Sequence, residues 1–317
     1  MDATPAPSSD VDAGVLRSIG NTPLFRLQKM PASNGAEIWA KWEAANPTGS
    51  MKDRMALSMV EGAEKRGQLK SGGKVVEYTG GSTGSSLAMI CAAKGYRAHF
   101  VSSDAFAEEK LATMRALGAA VEVVPSESRK ATPELFKTMI ERARELSEEP
   151  NTFWTDQFNN PDNKAGYHKM ADEILRQVGG FDAFVMCAGT GGCFSGNAEV
   201  FKDRMGAVKC VAVEPASSRH LSGGPVGGHR IEGIGPGFIP KVMRMDLVDE
   251  IISVTDEDAY STARELAKSE GVFAGISSGA NVFAALQVAR KLGPGHRIAT
   301  VIVDSGLRYL GGDLFRQ

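Results

Sequence analysis

Asp182-Ala183-Phe184-Val185-Met186-Cys187 runs straight into Ala188-Gly189-Thr190-Gly191-Gly192-Cys193, and a helical pattern follows over Phe194 to Met205. The apolar run is short and bounded by turn residues, which marks a strand buried on both faces. Strand, glycine turn and helix in that order are one unit of a parallel α/β sheet. Such a turn lets several backbone N–H groups converge, and the helix N-terminus adds positive potential, so the unit is suited to a phosphate. No Gly-Lys-Ser/Thr follows, so it is not a P-loop. Phe194 stands at the third glycine position of a dinucleotide fingerprint, so it is not that either. A tight turn with no ligand is the other reading of this segment alone.

The same alternation extends in both directions. Strands are predicted over Lys74 to Glu77, Arg97 to Ser102, Ala120 to Val124, Val208 to Val213, Asp249 to Val254 and Arg297 to Val303. Helices are predicted over Ser85 to Lys94, Phe106 to Leu117, Pro133 to Ser147, Asn163 to Val178, Asp256 to Glu270 and Ser278 to Leu292. Gly223 to Pro240 reads as a long loop. The expected class is therefore α/β with two halves of mainly parallel sheet, meeting near residues 150 to 160. Ligands bind beyond the carboxyl ends of such strands, which is where the turns after residues 77 and 187 lie, so a cleft between the halves is the expected site.

Composition narrows the function classes. With 317 residues the chain is long enough for about two domains or one large α/β unit. Its 36 basic and 38 acidic residues give a net charge of -2, which offers no footprint for nucleic acid or an anionic membrane surface. Cys91, Cys187, Cys193 and Cys210 form no C-x-x-C pair and no disulfide framework, and the five histidines lack ligand spacing, so no metal is expected. Residues 1–12 read as a disordered lead-in without a signal peptide's apolar core, and a cytoplasmic setting is expected.

Four more segments carry candidate chemistry. Asn46-Pro47-Thr48-Gly49-Ser50-Met51-Lys52-Asp53-Arg54 puts Lys52 in a turn just before a helix. A lysine held there can form a Schiff base with an aldehyde cofactor, whereas most loop lysines are solvated charges. Thr79-Gly80-Gly81-Ser82-Thr83-Gly84 lies between strand and helix. It can hold a carboxylate, or Ser82 or Thr83 can merely cap the helix. Gly275 to Asn281 opens a helix, where Ser278 can cap or offer a neutral hydroxyl to a heterocycle nitrogen. Gly227 to Gly237 is either a flap over a ligand or a surface loop. Gln157, in Asp156 to Pro161, has donor and acceptor groups for a polar ligand.

Together these segments resemble the cysteine synthase/cystathionine β-synthase family of pyridoxal-phosphate enzymes, fold type II, related in architecture to tryptophan synthase β. The similarity runs from Ile19-Gly20-Asn21-Thr22-Pro23-Leu24 to Asp304-Ser305-Gly306-Leu307-Arg308-Tyr309-Leu310. It implies one catalytic unit over 13–310, with a smaller α/β domain at about 46–155 and a larger one from 13–45 plus 156–317. It implies that Lys52 is the catalytic lysine bearing pyridoxal 5'-phosphate. Gly189, Thr190, Gly191, Gly192 and Cys193 would bind the cofactor phosphate, and Ser278 would face the pyridine nitrogen. Ser82 would lie near the ring hydroxyl. Thr79, Gly80, Ser82, Thr83 and Gln157 would surround the substrate carboxylate, and Gly228 to Gly235 would line the cleft. A homodimer is implied as well.

The implied reaction is β-replacement on an amino acid such as O-acetylserine. Lys52 removes the α-proton, the β-substituent leaves, and sulfide or a thiol adds. β-Elimination by a dehydratase or desulfhydrase is the alternative on the same scaffold, and a catalytically weak regulatory homologue is a third reading. Three departures from the family pattern bear on the choice. Gly80 replaces a serine, Ser82 an asparagine and Cys193 a threonine, which points to altered substrate choice more than to lost catalysis.

Overall fold

A computed structural model describes residues 14–127 and 132–316; the expected lead-in lies outside the described residues. In chain order the elements are β1 (Leu24–Arg26), β2 (Glu37–Trp42), α1 (Lys52–Lys65), β3 (Lys74–Tyr78), α2 (Ser82–Lys94), β4 (Arg97–Ser103), α3 (Glu108–Ala116), β5 (Ala120–Val124), α4 (Pro133–Ser147) and β6 (Thr152–Trp154). There follow α5 (Pro161–Ala165), α6 (His168–Val178), β7 (Ala183–Cys187), α7 (Gly192–Met205), β8 (Lys209–Pro215), β9 (Glu250–Val254), α8 (Asp256–Glu265), α9 (Ile276–Leu292) and β10 (Arg297–Ile302).

Two sheets form. The six-stranded sheet has the order β1-β2-β10-β7-β8-β9 and the four-stranded sheet β5-β4-β3-β6. Every pairing is parallel except β1 with β2. Strands covered by helices on both faces are near-continuous apolar runs, as β7 is; β3 is also buried at every position but carries Lys74 and Glu77. Residues 74–154 supply the smaller sheet, while the larger draws on 24–42 and 183–302. Among the described residues no helix is long and apolar enough to cross a membrane.

Three local departures from the sequence reading have physical causes. Strand β2 went unread because Lys41 interrupts its apolar alternation. Lys41 is fully buried, and its amine lies 2.7 Å from Glu173 and donates to the Thr22 carbonyl. The helix expected over Asn163 to Val178 is two, α5 and α6, broken at Gly166 and Tyr167. A Cβ at Gly166 would lie 2.8 Å from the Arg54 carbonyl oxygen, so the break lets the chain press against the backbone of α1. The helix expected to reach Glu270 stops as α8 at Glu265 and continues as a π-helical turn over Leu266–Glu270.

Helix α1 is fixed by a buried charge cluster. Arg54 donates from Nε and Nη2 to Glu43 at 2.7 and 2.9 Å, and from Nη1 and Nη2 to Glu173 at 2.9 and 2.7 Å. Burial alone would raise the Glu173 pKa, but the Arg54 hydrogen bonds and charge bring it down to about 2. Removing one member of a buried cluster strands the rest. Arg54→Met should therefore lower unfolding free energy by about 3–5 kcal/mol in urea titration, and an unchanged midpoint would refute this role.

Candidate active site

Lys52 is the first residue of α1 and is 9% exposed. Its position follows from the turn before it. Asp53 accepts from the Thr48 N–H (2.9 Å), from Thr48 Oγ1 (2.5 Å) and from Ser86 Oγ of α2 (2.5 Å). The N–H of Met51 bonds the Val303 carbonyl, and Ser50 bridges Asp304 beyond the end of β10. Burial above all pushes the Lys52 amine below the ordinary lysine range. The Arg308 cation acts in the same direction, against Cys193, Cys187 and Asp304. A helix N-terminus also disfavours a cation. The result is a lysine biased toward the neutral, nucleophilic form.

The same region gathers the glycine turns. Gly191, at φ +82, is the N-cap of α7, and no side chain caps that helix. The Gly192 N–H donates to Thr190 Oγ1 at 3.4 Å, and the next amides of the turn, those of Cys193 and Phe194, are left for an external acceptor. A Cβ at Gly189 would meet the Gly233 carbonyl at 2.2 Å, and one at Gly192 would meet Asn163 Oδ1 at 1.9 Å, so the turn tolerates only glycine there. Asn163 donates to Thr190 Oγ1 at 3.0 Å, while its own Oδ1 is buried without a partner. The Cys193 thiol faces Asn197 at 3.6 Å, so this residue serves the turn through its backbone N–H. Ser278 is no cap. Its Oγ accepts from the Val303 N–H at 2.9 Å, which leaves its O–H to donate elsewhere. These groups suit a phosphorylated pyridine aldehyde, with amides for the phosphate, an amine for the aldehyde and a neutral hydroxyl for the ring nitrogen.

The loop ending β3 is built from both sheet edges. Gly81 caps α2 without a side-chain bond, so neither Ser82 nor Thr83 is the expected cap. Thr79 Oγ1 accepts from the Gly81 N–H, and Thr83 donates to Gln157 Oε1 at 2.8 Å. A Cβ at Gly80 would lie 2.7 Å from the Phe106 ring and one at Gly81 2.5 Å from the Lys110 side chain. Gly80 is thus tied to the bulk of Phe106. In the flap, Gly228 is exposed and its carbonyl accepts from Ser217, while the Gly235 N–H bonds the Ala188 carbonyl at 3.1 Å and ties the segment to the turn after β7. Among the described residues no cluster suits a metal.

Three contributors escaped the sequence reading. Arg308 bonds Ser82 Oγ at 3.3 Å across 226 residues. Lys110 pairs with Glu232 of the flap. Glu77, fully buried in β3, accepts from Thr155 Oγ1 (2.5 Å), from the Gln157 N–H (3.0 Å), from the Tyr78 N–H (2.9 Å) and from Trp154 Nε1 (3.3 Å). Asp156, at φ +44, makes the bend that turns the Gln157 N–H toward it. No local pattern signals any of the three.

The geometry is that of a lysine-based pyridoxal-phosphate enzyme, and comparison agrees. Residues 15–304 match the family described as "Pyridoxal-phosphate dependent enzyme", so the chain belongs to that family, and pyridoxal 5'-phosphate is its cofactor. It is 41% identical to a cysteine synthase of Staphylococcus aureus (strain Mu50) over 305 residues, covering 95% of this chain and 96% of the relative. It is 42% identical to a probable cysteine synthase of Bacillus subtilis (strain 168), covering 94% and 96%. The crystal structure of an O-ureido-L-serine synthase superposes with TM-score 0.90 at 37% identity, covering 95% of this chain and 94% of that one.

Burial pushes the Glu77 carboxyl up to about 7 from 4.5, its hydrogen bonds opposing the shift. A raised pKa means that the folded state holds the proton more tightly. The stabilising contribution is present below about pH 4.5 and is lost as pH rises through 7. Relative to Glu77→Gln, the wild type should lose about 3 kcal/mol of unfolding free energy between those limits. A pH-independent difference in denaturant titrations would contradict the assignment.

Proposed function

We propose that the chain catalyses β-replacement on an amino acid as cysteine synthases do, taking O-acetylserine or a related serine derivative plus sulfide or a thiol. The observation that carries the reading is the buried, uncharged-leaning Lys52 between two uncapped helix N-termini, those of α7 and α2. When bound, pyridoxal phosphate supplies the electron sink for cleavage of the Cα–H bond.

The protein's own groups do the rest. Lys52 Nζ would hold the cofactor's aldehyde, and the same amine is placed to take the substrate α-proton and return it. The α7 turn binds the phosphate through backbone amides. Ser278 donates a hydrogen bond to the ring nitrogen without protonating it, which limits charge spread into the ring and disfavours transamination. The amides of the α2 first turn, with Thr79 and the Thr83–Gln157 pair, orient the substrate carboxylate. Burial of the Lys52 environment excludes water from the proton transfer. A homodimer acting in the cytoplasm belongs to the same proposal.

The test is a purified protein, its visible spectrum, and O-acetyl-L-serine with sulfide. Cysteine should form, and Lys52→Ala should lower kcat by roughly 10³-fold or more. A protein that never takes up the chromophore sinks the enzyme reading. Steady pyruvate release without added nucleophile would move the assignment to β-elimination.

A further inference from the structure

We infer that Arg308 is the counter-ion for an oxyanion carried by the amino-acid substrate, an assignment that rests on the β-replacement reading. Arg308 lies in the helical turn Gly306–Tyr309, just past β10. Its Nη1 is 3.3 Å from Ser82 Oγ, its Nη2 donates to the Thr48 carbonyl, and its Nε is buried without a partner. Both contacts are neutral. Among the described residues no carboxylate lies within 4 Å of the guanidinium.

The other buried cations outside the Lys52 position are treated differently. Arg54 has Glu43 and Glu173, Lys41 has Glu173, and Lys110 has Glu232. A half-buried guanidinium with a dry, unpartnered Nε and no acid is unfavourable by itself. Nearby acids make no ion pair with it: Asp304 and Asp53 feel the guanidinium only through space, and Asp304 Oδ1 is itself buried without a partner. Asp53 is used by Thr48 and Ser86, Asp304 Oδ2 by Tyr309, Glu232 by Lys110 and Asp313 by Arg230. Glu109, which lines the same small cavity, lies beyond ion-pair distance.

Its location identifies the missing anion. Ser82 opens α2, whose first amides are uncapped, and Thr48 lies in the turn that delivers Lys52. The neutral side-chain donors of the loop are partly used internally, since Thr83 donates to Gln157 and Gln157 to the Tyr78 carbonyl. A guanidinium at the rim of this cradle, with a planar fork suited to carboxylate or phosphate, completes it. The oxyanion is the α-carboxylate common to all substrates or an anionic group on the departing β-substituent.

The experiment uses the cofactor-loaded protein as wild type, Arg308→Gln and Arg308→Lys. O-acetyl-L-serine and O-phospho-L-serine are each titrated without nucleophile, following the visible absorbance, and KM and kcat are then measured separately. Arg308→Gln should weaken binding by roughly 10- to 100-fold, with KM moving more than kcat, and Arg308→Lys should recover part of the loss. Loss for both ligands assigns the α-carboxylate; loss for phosphoserine alone assigns the departing group. Unchanged affinity for both ligands in Arg308→Gln overturns the inference and leaves the proposed reaction standing. A wild type that responds to neither ligand removes both. Chromophore content and thermal midpoint separate a binding defect from a folding defect, and a normal Arg308→Lys that binds no better than Arg308→Gln also counts against the inference.

Discussion

The contact on which the site depends is the grip of Glu43 and Glu173 on Arg54. Helix α1 begins only two residues earlier, at Lys52, so the angle and depth of that lysine follow from where Arg54 is held. Glu43 comes from the turn after β2, and Glu173 from α6, so the cluster ties α1 to the edge of the larger sheet and to the helix behind it. Thr22 and Lys41 complete it, with Thr22 Oγ1 donating to Glu43 and the Lys41 amine pairing with Glu173. A hydrophobic contact in the same place would be cheaper to bury, but it would not fix the rotation of α1 about its axis. A forked guanidinium between two carboxylates does.

A second constraint is visible in the helix termini. α4, α5 and α8 are capped by Thr132, Asn160 and Thr255, each accepting a backbone N–H. α1, α2, α3, α6, α7 and α9 have no capping side chain on the N-cap residue, although Ser50 Oγ accepts from the Lys52 N–H and Thr190 Oγ1 from the Gly192 N–H. A side-chain cap is worth about 1 kcal/mol, so an N-cap without one, as at Gly81 of α2 and Gly191 of α7, forgoes stability at a place where a bound anion can supply it. The hydroxyls of Ser82, Thr83 and Ser278 are correspondingly turned to Arg308, Gln157 and Val303. Binding strength and fold strength thus trade against each other at the same amides.

Much of this was legible in the chain. Buried parallel strands are near-continuous apolar runs, and β7 declares itself that way; the glycine turns after β3 and β7 mark the ligand side of each sheet. Pro133–Ser147 reads correctly from its helical period alone. What stayed hidden depends on partners distant in sequence. Lys41 spoils the pattern of β2 until Glu173 is known to meet it. Gly166 breaks a helix because α1 lies against it, which no local signal states. Glu77 looks like an ordinary polar residue of a strand until four donors are seen to converge on it. Arg308 gains meaning only beside Ser82.

Cys193 shows how a side-chain departure can leave a function in place. A thiol is a poor donor, so a phosphate turn that relied on this side chain would be weakened. Here the thiol points to Asn197, and the turn works through N–H groups whose geometry is set by Gly189, Gly191 and Gly192. Burial raises the thiol well above its ordinary range. The changes at Gly80 and Ser82 are of another kind. They alter the surface a substrate meets, because Phe106 fills the space beside Gly80 and Arg308 reaches the shortened side chain at Ser82. The turn after β7 is thus set by its backbone, whereas the loop after β3 presents Ser82 beside Arg308 and Gly80 beside Phe106, so side chains rather than amides shape that part of the surface.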